Sequence, residues 1–488
     1  MTESVSRESS TSADVDRYEY SSLSGPNDIR CLILKSGSGS EPLSCQLRHI
    51  KLGEGVPFEA ISYVWGSRVM DYNILCDSRR VDITANLHHS LRQTRLSTRD
   101  RVLWADSICI NQDNNEEKGH QVRLMGRIYS QAKRVLITLG QDERSNLYSK
   151  SAASAIRETS SRVLQTLATL DGGWNSFPFT ENDDPLLSDP RWLAIEQLTA
   201  HPWFKRGWVI QEAALATEAF ILWGHEEITW FEFMRMYSWS FLRARKIHHE
   251  YKFVVSGLHL GLYGLRFPNE STSYLRQESP YMRHSLDVLQ ASRELELDDD
   301  KDHVYAFLAL PQTAGLKNLQ ISYDKTASDV YRDVAIWYAE KEKELLFLHY
   351  VENNENDLDS DYPSWIPQWH YCRYTVVPNQ RDNSYITSHV SGDVFAQVIQ
   401  SKILQTRGLT FDAIAFTSQT FSGDTTLDEL GSVWVSISQY RHRWAYPGSY
   451  LFTAFFNTIV AGLIPPDINN ASLDAHVRAI MPRLTGGW

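Results

Sequence analysis

Three apolar stretches decide the fold: FEAISYVWG at 58–66, RVLWAD at 101–106 and VLITLG at 135–140. Each is short and rich in β-branched or aromatic residues, which is typical of strands that are buried on both faces. The segment between the last two stretches places apolar residues on one face of a helix, at Val122, Met125, Tyr129 and Ala132. Strands and helices therefore alternate, and the predicted fold class is α/β, a parallel sheet with flanking helices.

The pattern extends on both sides of these stretches. Two strands are expected earlier, in IRCLIL from Ile29 and LSCQLRHIKL from Leu43, and a hairpin is expected at 73–83. Thr84 is a suitable N-cap for the helix that follows the hairpin. One more strand is predicted in EAFILWG, at 218–224.

Composition changes along the chain predict three regions. Residues 1–27 are polar and lack apolar periodicity, so they are expected to form a disordered tail. The α/β domain is predicted to span 28–230 and to carry an insertion at about 141–188. A mainly helical region is expected from 231 to 488, in which acidic runs such as DDDKD at 298–302 are interpreted as solvated loops.

Charge and composition exclude several classes of protein. The formal net charge of -12 argues against a nucleic acid partner, because binding a phosphate backbone requires an excess of basic residues. The start of the chain has no apolar signal segment, which favours a cytoplasmic location. The apolar stretches 253–265 and 451–464 are shorter than the roughly 20 residues of a membrane span, so both are expected to be buried helices. No C-x-x-C pair is present among the 5 cysteines, and no metal site is predicted.

Three blocks of the chain closely resemble the fungal heterokaryon incompatibility (HET) domain. They are FEAISYVWG (58–66), LWADSICINQDNNEEKGHQVRLMGRIYSQAKRVLITLG (103–140) and HPWFKRGWVIQEAALA (201–216). The resemblance implies non-self recognition, in which the domain triggers programmed cell death after unlike hyphae fuse. It also implies a partner, either a second copy of the chain or another incompatibility protein.

The same blocks are remotely similar to Toll/interleukin-1 receptor-like (TIR) domains, which have a flavodoxin-like parallel sheet. The similarity lies in the strand ending Ile-Ser-Tyr at residue 63 and in the spacing of Trp208 and Glu212. In the enzymatic branch of that superfamily this glutamate cleaves NAD at the nicotinamide bond. The resemblance therefore implies that Glu212 is catalytic and that NAD is a substrate, with no tightly bound cofactor. Val209 stands where that branch has a cysteine.

The position of a ligand follows from the predicted sheet. Ligands of open α/β sheets bind beyond the carboxyl ends of the strands. Trp208 and Glu212, four residues apart on a helix, share one face, so the indole could form a wall of the same pocket. The candidate substrate-binding residues are Ser62, Tyr63, Trp65, Gly66, Asp106, Asn111, Gln112 and Trp208.

Each candidate also has a purely structural interpretation. Trp65 and Trp208 could be core anchors. Glu212 could complement a helix dipole or pair with Arg206. Asp106 could cap the next turn, and the polar CINQD segment at 109–113 could hydrogen-bond its own loop backbone.

Three functional hypotheses remain open at this point. The first is NAD hydrolysis through Glu212. The second is a non-catalytic interaction module with tryptophan-rich surfaces, which the 15 Trp and 23 Tyr residues favour. The third is a folded relative without a signalling role.

Overall fold

The structure, a computed structural model, describes residues 16–141, 143–171, 173–267, 284–342, 345–352, 362–371, 396–400, 402–407 and 427–438. Contacts between residues divide the chain into two compact units, Met1–Val334 and Ala335–Trp488. The unit that contains the predicted α/β domain therefore continues beyond residue 230. The predicted domain boundary at that residue stays a prediction.

A mixed sheet forms the centre of the first unit. Its strands are β1 (Asp28–Leu34), β2 (Ser44–Lys51), β3 (Glu59–Ser62), β4 (Tyr72–Cys76), β5 (Arg79–Ile83), β6 (Arg101–Trp104), β7 (Val135–Thr138), β8 (Ala219–Trp223) and β9 (Glu226–Thr229). They lie in the order β5-β4-β2-β1-β6-β3-β7-β8-β9. In the second unit, β10 (Ala396–Ile399) and β11 (Ile403–Thr406) form an antiparallel pair.

The parallel arrangement is confirmed for the centre of the sheet and for the pair of β2 and β4. Strand β3 pairs in parallel with β6 and β7, and β7 pairs in parallel with β8. The sheet as a whole is mixed, because β1 is antiparallel to both β2 and β6, and β9 is antiparallel to β8. The predicted parallel sheet is therefore confirmed only in part, and a TIR-like or flavodoxin-like fold is not confirmed. Apolar runs such as that of β1 show burial but carry no information on strand direction.

Helices flank the sheet in the first unit and continue into the second. They are α1 (Ala85–Thr94), α2 (Asp106–Cys109), α3 (Asn115–Gln131), α4 (Glu143–Ala168), α5 (Trp192–Thr199), α6 (Val209–Ala214), α7 (Trp230–Arg243), α8 (Arg245–Glu250), α9 (Gly257–Arg266), α10 (Ser285–Ser292), α11 (Asp302–Tyr305), α12 (Ala327–Trp337) and α13 (Leu427–Ser438). Within the described residues after 231, helices and helical turns predominate, as the sequence predicts.

Several local predictions are confirmed. The Thr84 side chain accepts a hydrogen bond from the Leu87 N–H at the start of α1. Strands β4 and β5 form the expected hairpin, whose turn residues Asp77 and Ser78 have positive φ values of 48° and 66°. The predicted apolar face of α3 is buried. The predicted insertion contains the long helix α4, which packs against α5 and α7.

Part of the predicted disordered tail is ordered. The Tyr18 N–H donates to the Arg80 carbonyl, and the Tyr20 hydroxyl donates to the Ile108 carbonyl. The Arg30 guanidinium lies over the ring of Tyr20, 5.1 Å from its centroid. Residues 16–27 therefore pack against the sheet, while residues 1–15 lie outside the described residues.

The predicted buried helix at 253–265 is observed as α9. Its leucines pack with α6 and α10 around Ile210, which is fully buried. No helix among the described residues is long and apolar enough to cross a membrane. The second apolar stretch, 451–464, lies outside the described residues.

Candidate functional site

The carboxyl ends of β3 and β6 lie side by side, because these neighbouring strands are parallel and Ala60 pairs with Trp104. The residues that follow each strand therefore meet. The Trp65 indole N–H donates to Asp106 Oδ2 at 2.8 Å, and the Tyr63 and Ser107 hydroxyls share a hydrogen bond of 2.5 Å. The structure thus brings the predicted residues Trp65 and Asp106 into direct contact and pairs the predicted Tyr63 with Ser107.

Ser62, Tyr129, Trp203 and Glu212 form a second group, the Glu212 cluster. The Ser62 hydroxyl donates to Glu212 Oε2 at 2.5 Å and accepts a hydrogen bond of 2.8 Å from the Trp203 indole N–H. The Tyr129 hydroxyl donates to the Ile61 carbonyl, and it lies close enough to the Glu212 carboxyl group to influence its pKa. Glu212 itself is only 4% exposed. Its carboxyl group is therefore held inside the domain and does not reach bulk solvent.

The surroundings of Glu212 favour its neutral form. Burial is the largest cause, and together with the charge of Asp106 it raises the pKa of Glu212 to about 8. The hydrogen bond from Ser62 and the positive charge of Arg206 act in the opposite direction. At pH 7 roughly nine in ten Glu212 side chains are consequently protonated.

A packed aromatic group holds the Glu212 cluster in place. The Trp203 ring stacks on His259 of α9, with centroids 5.8 Å apart, and meets Trp230 of α7 edge to face at 5.5 Å. Burial lowers the pKa of His259 to about 3, so this ring is neutral at pH 7. The Trp203 side chain, and with it the Ser62 hydroxyl, is thus fixed by helices on the far side of the predicted boundary at 230.

A cavity of about 380 Å³ opens beside the strand-end residues Trp65 and Asp106. Its volume is within the range of roughly 300–1,000 Å³ that is usual for small-molecule sites. We call it the Trp65–Trp208 cavity. Glu212 does not line it, but Asp106 and Arg206, whose charges act on Glu212, both do. Its lining residues are Val64, Trp65, Arg68, Asp106, Ile110, Gln112, Lys118, Val122, Met125, Pro202, Arg206, Trp208, Glu296, Leu297, Asp298, Asp299, Asp302 and Tyr323.

Asp302, Trp208 and Tyr323 form a third group, the Asp302 cluster, on another side of the cavity. The Trp208 indole N–H donates to Asp302 Oδ2 at 3.0 Å, and the Tyr323 hydroxyl donates to Oδ1 at 2.8 Å. Burial raises the pKa of Asp302 to about 6, although both hydrogen bonds act against this rise. The interpretation of 298–302 as a solvated loop is therefore wrong for Asp302, which is 6% exposed.

The remaining candidates differ in their relation to the cavity. Gln112 lines it and donates to the Asp106 carbonyl at 3.0 Å. Asn111 does not line it, and its side chain accepts a hydrogen bond from the Asp113 N–H, the loop role that was one of its two interpretations. Gly66 has a positive φ of 68°, and a Cβ atom there would collide with the Asn86 amide. That amide donates to the Val64 carbonyl, so Gly66 permits the strand-end loop to pack on α1.

Two important members of the site were missed in the sequence. Arg206 lies in the third resembling block, two residues before Trp208, so a signal for it was present. Tyr323 lies outside the three blocks, and its role depends on Asp302, which is distant from Trp208 in sequence. Among the described residues no group of three His, Cys, Asp or Glu side chains could hold a metal ion.

Comparisons with known proteins bear on the identity of this domain. Residues 58–212 match the family described as Heterokaryon incompatibility protein (HET). A relative described as Heterokaryon incompatibility protein 6, OR allele, from Neurospora crassa is 24% identical over 444 residues, an alignment that covers 76% of this chain and 62% of the relative. The chain therefore spans less than two thirds of that relative's length.

No solved structure gives a significant match. The similarity to TIR-like domains is thus supported neither by these comparisons nor by the mixed sheet. The three resembling blocks, in contrast, coincide with the segment that the family comparison matches. Residues 58–212 match the heterokaryon incompatibility family, and the chain is similar to a protein of that description over most of its length.

Proposed function

We propose that this chain acts in fungal non-self recognition and triggers cell death by cleaving NAD at the nicotinamide bond. The family match and the name of the Neurospora crassa relative support the first part. One observation carries the second part: a buried glutamate with a raised pKa interacts with two charged residues of a cavity that tryptophans line. Buried groups with strongly shifted pKa values occur often at functional sites.

The chemistry of the bond fits a site of this kind. Its cleavage releases neutral nicotinamide and builds positive charge on the ribose, which an ionised carboxylate stabilises. Water then supplies the hydroxyl group of ADP-ribose, and one proton is released. The nicotinamide ring of NAD is itself a cation, so its entry beside Asp106 would lower the pKa of Glu212 and favour the ionised form.

The proposal requires a movement of Glu212. Its carboxyl group is held by Ser62 and does not line the Trp65–Trp208 cavity. The Ser62–Glu212 hydrogen bond must therefore open so that the carboxylate can turn towards the ribose. Asp106 already lines the cavity, where it accepts a hydrogen bond from the Trp65 indole N–H, and it is proposed to bind the substrate.

Release of nicotinamide from NAD by the full chain tests this proposal. Glu212→Gln keeps the shape of the side chain but cannot ionise, and we expect it to reduce turnover by about 100-fold or more. Glu218→Gln is the matched control, because Glu218 is exposed and does not line the cavity. Equal turnover by Glu212→Gln and wild type, or no turnover by either, would rule out the catalytic role.

A second candidate function is a non-catalytic interaction module. The expected tryptophan-rich surfaces do not support it, because no tryptophan among the described residues is exposed. A different observation now favours it: Val69 and Met70, on the loop after β3, are 58% and 55% exposed. A Val69→Asp/Met70→Asp double variant should lose self-association in light scattering. Unchanged association would remove this loop as the contact surface.

A further inference from the structure

Arg206 is a cationic residue of the Trp65–Trp208 cavity with no anionic partner. Among the described residues its guanidinium makes no hydrogen bond and no ion pair, and its Nε atom is buried without an acceptor. Two buried arginines of the first unit are paired, Arg30 with Glu117 and Arg101 with Glu59. Arg206, which is half-buried, differs from both in making no ion pair.

The backbone fixes the position of Arg206. It follows the 3-10 turn Pro202–Lys205. The residues on either side of it form backbone hydrogen bonds with Glu296. The Glu296 N–H donates to the Lys205 carbonyl at 2.7 Å, and the Gly207 N–H donates to the Glu296 carbonyl at 3.0 Å. The side chain therefore enters the cavity from a constrained segment. Arg206 is half-buried, and its Nε–H is removed from water without an acceptor, which is unfavourable unless a ligand supplies one.

The charges around the cavity limit the kind of ligand. Three lining side chains are basic and five are acidic: Arg68, Lys118 and Arg206 against Asp106, Glu296, Asp298, Asp299 and Asp302. A simple anion would be attracted by Arg206 and repelled by the acidic residues. A ligand with a negative group at Arg206 and a cationic or hydrogen-bond-donating group near the carboxylates satisfies both sides. Nucleotides with a cationic base have this charge pattern.

We propose that Arg206 binds the pyrophosphate group of a dinucleotide, because its planar guanidinium can donate two parallel hydrogen bonds to phosphate oxygens. This inference rests on the proposed function, since it assigns the residue that holds the phosphates of NAD. Arg206 binds the ligand and takes no part in breaking the glycosidic bond.

Calorimetric titration of the full chain with ADP-ribose tests the inference, since this product carries the pyrophosphate and cannot release nicotinamide. Arg206→Gln should weaken ADP-ribose binding by about 10- to 100-fold, the usual effect of losing charge-assisted hydrogen bonds. Lys205→Gln removes the same charge from the neighbouring, exposed side chain, which does not line the cavity, and should bind as wild type does. Inorganic pyrophosphate should compete with ADP-ribose in wild type.

The inference is overturned if wild type does not bind ADP-ribose, if Arg206→Gln binds it equally well, or if Lys205→Gln loses as much affinity. A thermal melt without ligand separates binding from a structural role. Removal of a half-buried cation that makes no ion pair should leave the melting temperature unchanged or raise it, whereas a drop of several degrees with loss of binding would mean that Arg206 is structural. Arg206-dependent binding without nicotinamide release would retain the inference and reject the proposed hydrolysis.

Discussion

The Glu212 cluster and the Asp302 cluster both bury a carboxyl group that hydroxyl or indole donors contact, yet they come from different parts of the chain. Glu212 lies inside the matched segment 58–212, and Asp302 lies well beyond it. Trp208 connects the two clusters, because it is one helical turn from Glu212 and donates its indole N–H to Asp302. The matched segment 58–212 therefore supplies only part of the lining of the cavity.

The largest effect is expected from a truncation that removes Asp302 and Tyr323, and with them the Asp302 cluster. A chain that ends at residue 230 would lose Leu258, Val288 and Phe307, which pack with Ile210 of α6. Each such side chain contributes about 1.5–3 kcal/mol, and the total stability of a domain is only about 5–15 kcal/mol. We expect no cooperative unfolding transition in circular dichroism. A cooperative transition at a temperature near that of the full chain would show that the Glu212 cluster is stable without the residues after 230.

The next test uses the pH dependence of stability at Glu212. The folded protein retains this proton up to about pH 8, whereas the unfolded chain releases it near the ordinary value of 4.5. The free energy of unfolding should therefore decrease as the pH rises from about 4.5 to about 8, by about 5 kcal/mol from this group. Glu212→Gln should remove that decrease in urea denaturation at several pH values. An unchanged slope would mean that Glu212 is not held neutral.

Asp302 should show a smaller effect over a lower pH window. Its pKa is raised from 3.8 to about 6, so its contribution to stability decreases by about 3 kcal/mol as the pH rises through this window. Asp302→Asn should flatten the curve between about pH 4 and 6 only, because the Tyr323 hydroxyl can accept from the new amide. A change that extends to pH 8 would contradict the separate titration of the two clusters.

The smallest effect is expected at Asp298, in the same acidic run as Asp302. Its only described ion pair is with Arg68 at 3.7 Å, and both side chains are mostly exposed. Asp298→Asn should change the unfolding free energy by less than about 0.5 kcal/mol at any pH, as is usual for exposed pairs. A larger loss in the same urea experiment would indicate that the acidic run acts as a unit.

Short apolar runs were sufficient to predict β3, β6 and β7, and turn and capping residues correctly located the β4–β5 hairpin and the start of α1. The direction of β1 could not be predicted, because a strand buried by neighbours on both sides has the same composition in either direction. Edge strand β9 was not predicted, since EEIT is short and charged.

The residues of the candidate site were predicted only in part. The expectation that ligand-binding residues follow the strand ends correctly grouped Trp65 with Asp106, since neighbouring parallel strands place their carboxyl ends side by side. The shared face of Trp208 and Glu212 did not make them walls of one cavity, because the Trp208 indole pairs with Asp302. An aspartate in an acidic run is normally solvated, and only its partners Trp208 and Tyr323 make its burial favourable.

The pH profile of nicotinamide release tests the central claim, that an ionised Glu212 cleaves NAD in the site, most directly. The value of kcat/KM reports ionisations of the free protein. Because the pKa of Glu212 is about 8, kcat/KM should rise about tenfold per pH unit below pH 8 and level off above it, and this rise should be absent in Glu212→Gln. A flat profile in wild type, or the same rise in the variant, would contradict the account.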